Sequence, residues 1–379
     1  MSKLQTTPAT LDSGGASASP APSQIARPAR IAAAADAAVR AVGHDEWERL
    51  AGGFPDHNYR QCWAYAEAMA ARVGGATEHL CVASGDRTLG LASVRVKGIP
   101  GTGTGIAYVS GGPLVRGGDE DAPSRLEAVL SALAGEYVHR RGLLLRVAPT
   151  IGDERWNLEQ DQCFLSAGFT PAERQPRYST ILVDISRPAS EIRAGLAKKW
   201  RYHLGRAEKA GISVVQGSAP ELFEQFLPLF DEFVARKSFA VELGADFYAR
   251  VQSALPEAER MHLAIASVGD EPVAGVVAGL LGDTAVYLLG ASNEIGREAN
   301  APYLLQWKVI EAAADRGIGW YDLGGIDEEA NPGVYRFKAR MGGTEMTAPG
   351  PYELAPGRVR AAVVHSAERL VRAARARRR

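Results

Sequence analysis

MHLAIASVGDEPVAGVVAGLLGDTAVYLLG over residues 261–290, followed by PYLLQWKVIEAAADRGIGWYDL over 302–323, decides the fold. Met261–Val268, Val273–Leu281 and Ala285–Gly290 are short apolar, β-branched runs, which predicts three strands. Gly269-Asp270 and Gly282-Asp283 are the tight turns between them. Pro302–Arg316 has the length and spacing of a helix, with Pro in its first turn. Gly317 follows where a left-handed cap is expected, and Trp320–Leu323 is a fourth strand.

The same succession stands earlier in the chain. Arg60–Arg72 is an amphipathic helix candidate. Leu80–Ser84, the turn Gly85-Asp86, Leu89–Val96 and Ile106–Val109 are strands. Pro123–Arg140 is a helix with Leu126, Val129, Leu130, Leu133 and Val138 at helical spacing, and Leu143–Val147 a buried strand. Antiparallel strands, a helix and a returning strand, stated twice, predict a duplicated mixed α/β unit. This is the element order of the GNAT acetyltransferase-like fold. Ser190–Ala210 reads as a basic helix and Pro220–Lys237 as a second one. The expected division is a disordered leader (1–35), a first GNAT-like domain (36–187), a second (188–356) and a basic amphipathic C-terminal helix (357–379), each sheet flanked by helices.

Composition fits an ordinary globular chain: 379 residues, 46% hydrophobic and 23% charged, long enough for two domains. The net charge of −1 hides an asymmetry. Residues 358–379 hold eight Arg and one acid, Glu368, a net +7 that leaves −8 on residues 1–357. Such a tail is an interaction element. Three cysteines without C-x-x-C spacing, and no run of about 18–20 apolar residues, predict a cytoplasmic protein. Seven scattered histidines with no H-x-x-x-H pattern predict no metal site.

Two glycine-bearing stretches test phosphate chemistry. Gly98–Gly105 runs into a strand rather than a helix N-terminus, so it reads as a hairpin connection. GNAT enzymes hold the pyrophosphate of coenzyme A with R/Q-x-x-G-x-G/A at a helix start. The corresponding stretch, Arg297-Glu-Ala-Asn300-Ala-Pro302, has both glycines replaced, and Pro302 has no N–H to donate. The first copy, from Arg116 to Asp121, also lacks them. Coenzyme A is therefore disfavoured, and no cofactor is expected.

The densest unusual segment is DLGGIDEEANPGVYRFK, residues 322–338, followed by Gly342-Gly343. On composition alone it is a surface loop leading into an amphipathic helix. As a motif it resembles the C-terminal signature of the FemABX family. LAKKWRYHLGRAEKAGISV (196–214) is similar to that family's basic helix opening the second domain. FDEFVARKSF (230–239) is similar to its helix ending in Arg. The similarity covers 190–350 well and 45–185 loosely, and the long coiled-coil insertion of some members is absent.

The resemblance implies tandem GNAT-like domains and transfer of an aminoacyl group from aminoacyl-tRNA to an amine, usually on a UDP-linked or lipid-linked peptidoglycan precursor. It implies that Phe337-Lys338 is the catalytic pair, with Lys338 stabilising the oxyanion and Phe337 shaping the pocket. It also places Arg236, with the adjacent Lys237, on precursor phosphates. Tyr287 is a substrate contact or a buried strand aromatic; Tyr335 and Asp322 are further substrate-binding candidates. Asp322, Asp327 and Glu328 are candidates for a general base. Lys198, Lys199, Arg201 and Arg206 form a tRNA contact or a solvated face. The C-terminal helix suits tRNA, the inner membrane leaflet or simple solubility.

Two departures bear on the acceptor. Helix Gln61–Arg72 lacks the Lys that short members carry, and Gly112-Pro113-Leu114-Val115 is followed by Arg116 rather than an acid. Other readings of the chain are transfer to another small-molecule amine, acyl-CoA-dependent N-acylation, and a non-catalytic membrane adaptor. A monomer is compatible with the sequence.

Overall fold

The computed structural model describes residues 37–117, 121–236 and 243–376. The expected leader, and Lys237, lie outside them.

The first succession is β1 (Ala38–Ala41), α1 (His44–Ala51), α2 (Trp63–Val73), β2 (Ala76–Ser84), β3 (Arg87–Ile99), β4 (Thr104–Ser110), α3 (Ala122–Leu133), β5 (Leu144–Ala148), α4 (Glu154–Ser166) and β6 (Thr170–Pro171). A π-helical stretch, Ala134–Arg140, prolongs α3. The second is β7 (Ser179–Asp184), α5 (Ala189–Gly195), α6 (Lys198–Ala207), β8 (Ser213–Gly217), α7 (Glu221–Arg236), α8 (Ala245–Ala254), β9 (His262–Val268), β10 (Glu271–Leu281) and β11 (Thr284–Ser292). It continues through α9 (Glu294–Glu298), α10 (Ala301–Ala314), β12 (Trp320–Asp322), α11 (Pro332–Ala339), β13 (Thr344–Thr347), β14 (Tyr352–Leu354) and α12 (Arg358–Ala376).

Two seven-stranded mixed sheets result, ordered β1-β2-β3-β4-β5-β14-β6 and β13-β7-β12-β11-β10-β9-β8. Each has one parallel pair, β4/β5 and β11/β12, joined through a helix; the other pairs are antiparallel. The duplication is therefore real at the level of topology. Gly98–Gly105 closes the β3–β4 hairpin, with Gly101 and Gly103 at positive φ.

Three expectations change. The sheets exchange strands, so the division at 187/188 fails. β7 precedes it in sequence yet pairs with β12 and β13 of the second sheet. β14, beyond the second unit, pairs with β5 and β6 of the first. The long basic helix expected over Ser190–Ala210 breaks at Leu196-Ala197, whose backbone is extended. Leu196 is buried there in the core of the second sheet, which decides against a continuous helix. The C-terminal helix is not a free tail. Val364 is buried, and Glu368 pairs at 2.5 Å with Arg146 of β5, itself 2.5 Å from Glu353 of β14.

The halves share a core. Cys62, Ala64 and Tyr65, at the start of α2, pack with Phe226, Phe230, Phe247 and Tyr248 of α7 and α8. Across the same seam the Asp283 N–H donates to Pro55 O at 2.7 Å, and Arg116 forks onto the Asp283 carboxylate at 2.8 and 2.9 Å. The arginine that replaces an acid after Gly-Pro-Leu-Val is thus committed to holding the two halves together.

His262, at the head of β9, is buried with neither ring nitrogen hydrogen-bonded. Burial lowers its pKa from 6.5 to about 4. The unfolded chain therefore binds a proton between pH 6.5 and 4 that the folded one refuses, and this residue removes stability as pH falls through that window. Asp56, raised to about 6 by burial, acts in the opposite direction below pH 6. His262→Phe is expected to raise stability by about 1–3 kcal/mol, more at pH 5 than at pH 8. Thermal melts at the two pH values check this; an equal gain at both removes the titration argument.

Candidate active site

The site grows out of the parallel pair β11/β12. Their register runs only from Thr284↔Trp320 to Val286↔Asp322. Beyond it β11 continues to Ser292, whereas the chain after Asp322 turns away. A bulge on β11 at Leu288, opposite Val277/Ala278, sharpens the divergence. A cavity of about 710 Å³ fills the gap, bordered by β11, the start of α10 and helix α11.

Gly324 makes the turn possible. Its φ is +73°, and a Cβ there would stand 2.6 Å from Tyr287 O. The turn is fixed from behind by Asp322, which accepts the Gly324 N–H at 2.8 Å, the Tyr178 hydroxyl at 2.9 Å and the Thr180 hydroxyl at 2.5 Å. Helix α11 then starts at Pro332, with Asn331 accepting from Val334 N–H. Its inner face carries Phe337 and Lys338. Phe337 packs edge-on to Tyr303 (5.1 Å) and against Trp200 (6.0 Å).

Lys338 is 5% exposed. Its Nζ donates to Gly325 O at 2.8 Å and Gly324 O at 3.2 Å and lies 5.3 Å from the Tyr287 ring centre. An ammonium has three donors, so one remains beyond the two carbonyls. Burial lowers its pKa to about 8, while the charge of Asp322 acts to raise it. The group is therefore mostly charged at neutral pH.

Lys338, Phe337 and Tyr287 meet on this one cavity. Tyr287 faces it from β11, and Gly290 leaves room for its hydroxyl, since a Cβ there would meet that oxygen at 2.0 Å. Arg236, at the end of α7, donates to Ser292 O at 2.9 Å, and Arg297 donates to the same oxygen at 3.0 Å. Ser292 lines the cavity, so two guanidiniums converge on its rim.

Other candidates lie elsewhere. The Tyr335 hydroxyl donates to Glu345 at 2.9 Å, outside the lining. Asp322 lies behind the Gly324 turn and borders a separate crevice of about 50 Å³ with Arg60 and Tyr178. Asp327 accepts from Ala330 N–H within its own loop, and Glu328 is exposed. Lys198, Lys199 and Arg206 are exposed on α6, but Arg201 donates to Ala194 O and Leu196 O, closing the break after α5.

Sequence reading missed His203, Arg336 and Arg340. With Lys199 and Phe337 they line a smaller basic hollow of about 140 Å³ beside the main cavity. The signal was present as the i, i+4 pair Lys199/His203 and the pair Arg336/Arg340. His203 Nδ1 lies 2.7 Å from Asn300 Oδ1, and Asn300 itself adopts the left-handed conformation (φ +61°).

Residues 194–339 match the acetyltransferase (GNAT) domain model. A UDP-N-acetylmuramoylpentapeptide-lysine N(6)-alanyltransferase of Weissella viridescens is 25% identical over 244 residues, covering 62% of this chain and 70% of that one. The crystal structure of FemX superposes with a TM-score of 0.72 at 15% identity, over 84% of this chain and 97% of that one. The chain is thus similar in sequence to a FemX-type alanyltransferase and shares the FemX fold. A conserved Bacteroides thetaiotaomicron protein of unknown function shares the fold, with a TM-score of 0.54 at 13% identity over 83% of this chain and 97% of that one.

Proposed function

We propose that this protein acts as a FemABX-type acyltransferase, moving an aminoacyl group from aminoacyl-tRNA to an amine of a peptidoglycan precursor, UDP-linked or lipid-linked. The observation that carries the reading is Lys338, a buried ammonium with one donor to spare, facing a cavity beside a basic rim.

In the reaction the acceptor amine attacks the carbonyl carbon of the ester joining amino acid to tRNA. The carbonyl oxygen becomes an oxyanion and re-forms the carbonyl as the C–O bond to the ribose breaks, while the proton lost by the amine passes to the departing ribose oxygen. Lys338 N–H stabilises the oxyanion, and burial makes that charge count for more than it would in water. The Gly324 and Gly325 carbonyls hold the ammonium in place, so little reorganisation accompanies charge development. Phe337 and Tyr303 shape the wall. Lys199, Arg336 and Arg340 offer positive charge to the phosphates of the donor's end, and Arg236 with Arg297 to those of the acceptor.

Coenzyme A remains disfavoured as donor. Asn300 fills the loop with a side chain tied to His203, and Tyr303 N–H is already bonded to Asn300 O at 3.0 Å. No helix among the described residues is long and apolar enough to cross a membrane. The exposed Val359, Leu370 and Val371 of α12, among arginines, support peripheral contact with an anionic leaflet.

The test is incubation with a mixture of charged tRNAs and a muramyl-pentapeptide precursor, read by mass spectrometry. The precursor should gain one aminoacyl residue, and ribonuclease should abolish the gain. Equal transfer from acyl-CoA without tRNA would replace the donor assignment. No transfer to the precursor, with transfer to another amine, would replace the acceptor.

A further inference from the structure

Away from this cavity, three residues from distant parts of the chain meet at the seam between the halves. His57 and Cys62 lie on the segment between α1 and α2; Glu259 lies on the turn between α8 and β9. His57 Nε2 is 3.8 Å from Cys62 Sγ and 3.6 Å from Glu259 Oε1, and all three donor atoms lie within 4.8 Å of one another. Cys62 is fully buried, His57 6% and Glu259 8% exposed. We propose that His57, Cys62 and Glu259 are the protein ligands of a zinc-type divalent metal ion that clamps the two halves together.

The distances fit. With metal bonds of about 2.0–2.1 Å to nitrogen, 2.3 Å to sulfur and 2.0–2.2 Å to oxygen, ligand atoms at the corners of a tetrahedron stand about 3.4–3.6 Å apart. The His57–Cys62 and His57–Glu259 separations need to close by only a few tenths of an ångström. An imidazole, a thiolate and a carboxylate form a zinc-type donor set, and hard cations such as magnesium would reject the sulfur.

A second observation points to a ligand. Glu259 Oε2 is buried with no hydrogen-bond partner. A carboxylate oxygen in that position is costly unless something positive meets it. The Glu48 carboxylate, whose Oε1 lies 3.0 Å from His44 Nε2, adds negative charge beside Cys62 and Glu259. A divalent cation balances one thiolate and one carboxylate, so the buried site becomes neutral.

The arrangement also resembles a nucleophile, base and acid, but the geometry opposes that use. Cys62 has no exposed surface, and the crevice bordered by His57 holds about 50 Å³, room for an ion and water but not for an acyl substrate. The clamp lies on the same seam as the Asp283–Pro55 and Arg116–Asp283 contacts.

Titration of the metal-stripped full-length protein with Co²⁺ tests the proposal. One equivalent should give a thiolate-to-cobalt charge-transfer band, Zn²⁺ should displace it, and Zn²⁺ should raise the melting temperature. Cys62→Ser should abolish the band, and Glu259→Gln should weaken binding by more than about a hundredfold, the upper end of what loss of a metal ligand's supporting partner costs. Cys81→Ser, at another buried thiol, should change neither. A wild-type protein without the band at one equivalent, or a band that survives Cys62→Ser, would overturn the site. The wild-type spectrum decides the matter even if the ligand variants fail to fold.

Discussion

Lys338→Met is expected to lower turnover by about a hundred- to a thousandfold, the loss seen when one oxyanion donor is removed. Methionine fills a similar volume beside Tyr287 and Phe337. It also removes a buried ammonium, so the melting temperature should hold or rise. The two readouts therefore separate: catalysis collapses while the fold does not. The pH profile adds a second test. In the wild type the Lys338 pKa of about 8 predicts that turnover falls as pH rises through 8, because the deprotonated amine no longer supplies charge. The variant should lack that alkaline limb. Turnover within about threefold of wild type would show that the ammonium is not the stabilising group.

Much of this site was legible in the sequence. In segment 322–338 the local geometry is readable: Gly324-Gly325 after a strand permits unusual backbone angles, and Pro332 starts a helix that carries Phe337-Lys338, whose role comes from the family resemblance. The strands either side of Gly269-Asp270 and Gly282-Asp283 follow from local patterning, which depends on near neighbours only. What failed depends on distant ones. Tyr352–Leu354 is three residues long and carries no periodicity, and only the free edge beside β5 makes it a strand. Ser190–Ala210 has good helical composition, but the burial of Leu196 breaks it. The meeting of positions 57, 62 and 259 has no spacing signal either, because it comes only through packing of the α1–α2 segment against α8. The terminal arginines read as free charge. Glu368, the single acid among them, is what docks that helix onto Arg146.

Asp322 separates two roles that its place in the motif leaves open. It accepts from Tyr178, Thr180 and Gly324 N–H and does not border the main cavity, which makes it a positioning residue. Asp322→Ala leaves those buried donors without an acceptor and is expected to cost about 3–5 kcal/mol, melting the turn that carries the carbonyl partners of Lys338. Asp322→Asn is the sharper variant. Its amide oxygen can still accept from Gly324 N–H and Thr180, and the Tyr178 hydroxyl can turn to accept from the amide nitrogen. What it loses is the negative charge that raises the Lys338 pKa. The alkaline limb should therefore move below pH 8, leaving turnover at pH 6.5 within about tenfold of wild type and failing progressively above it. A general base in the same position would give the opposite picture: loss at every pH, and disappearance of the acid limb rather than displacement of the alkaline one. Rate profiles of the two variants from pH 5.5 to 9, with melting curves alongside, distinguish a carboxylate that holds the turn and tunes its lysine from one that moves a proton.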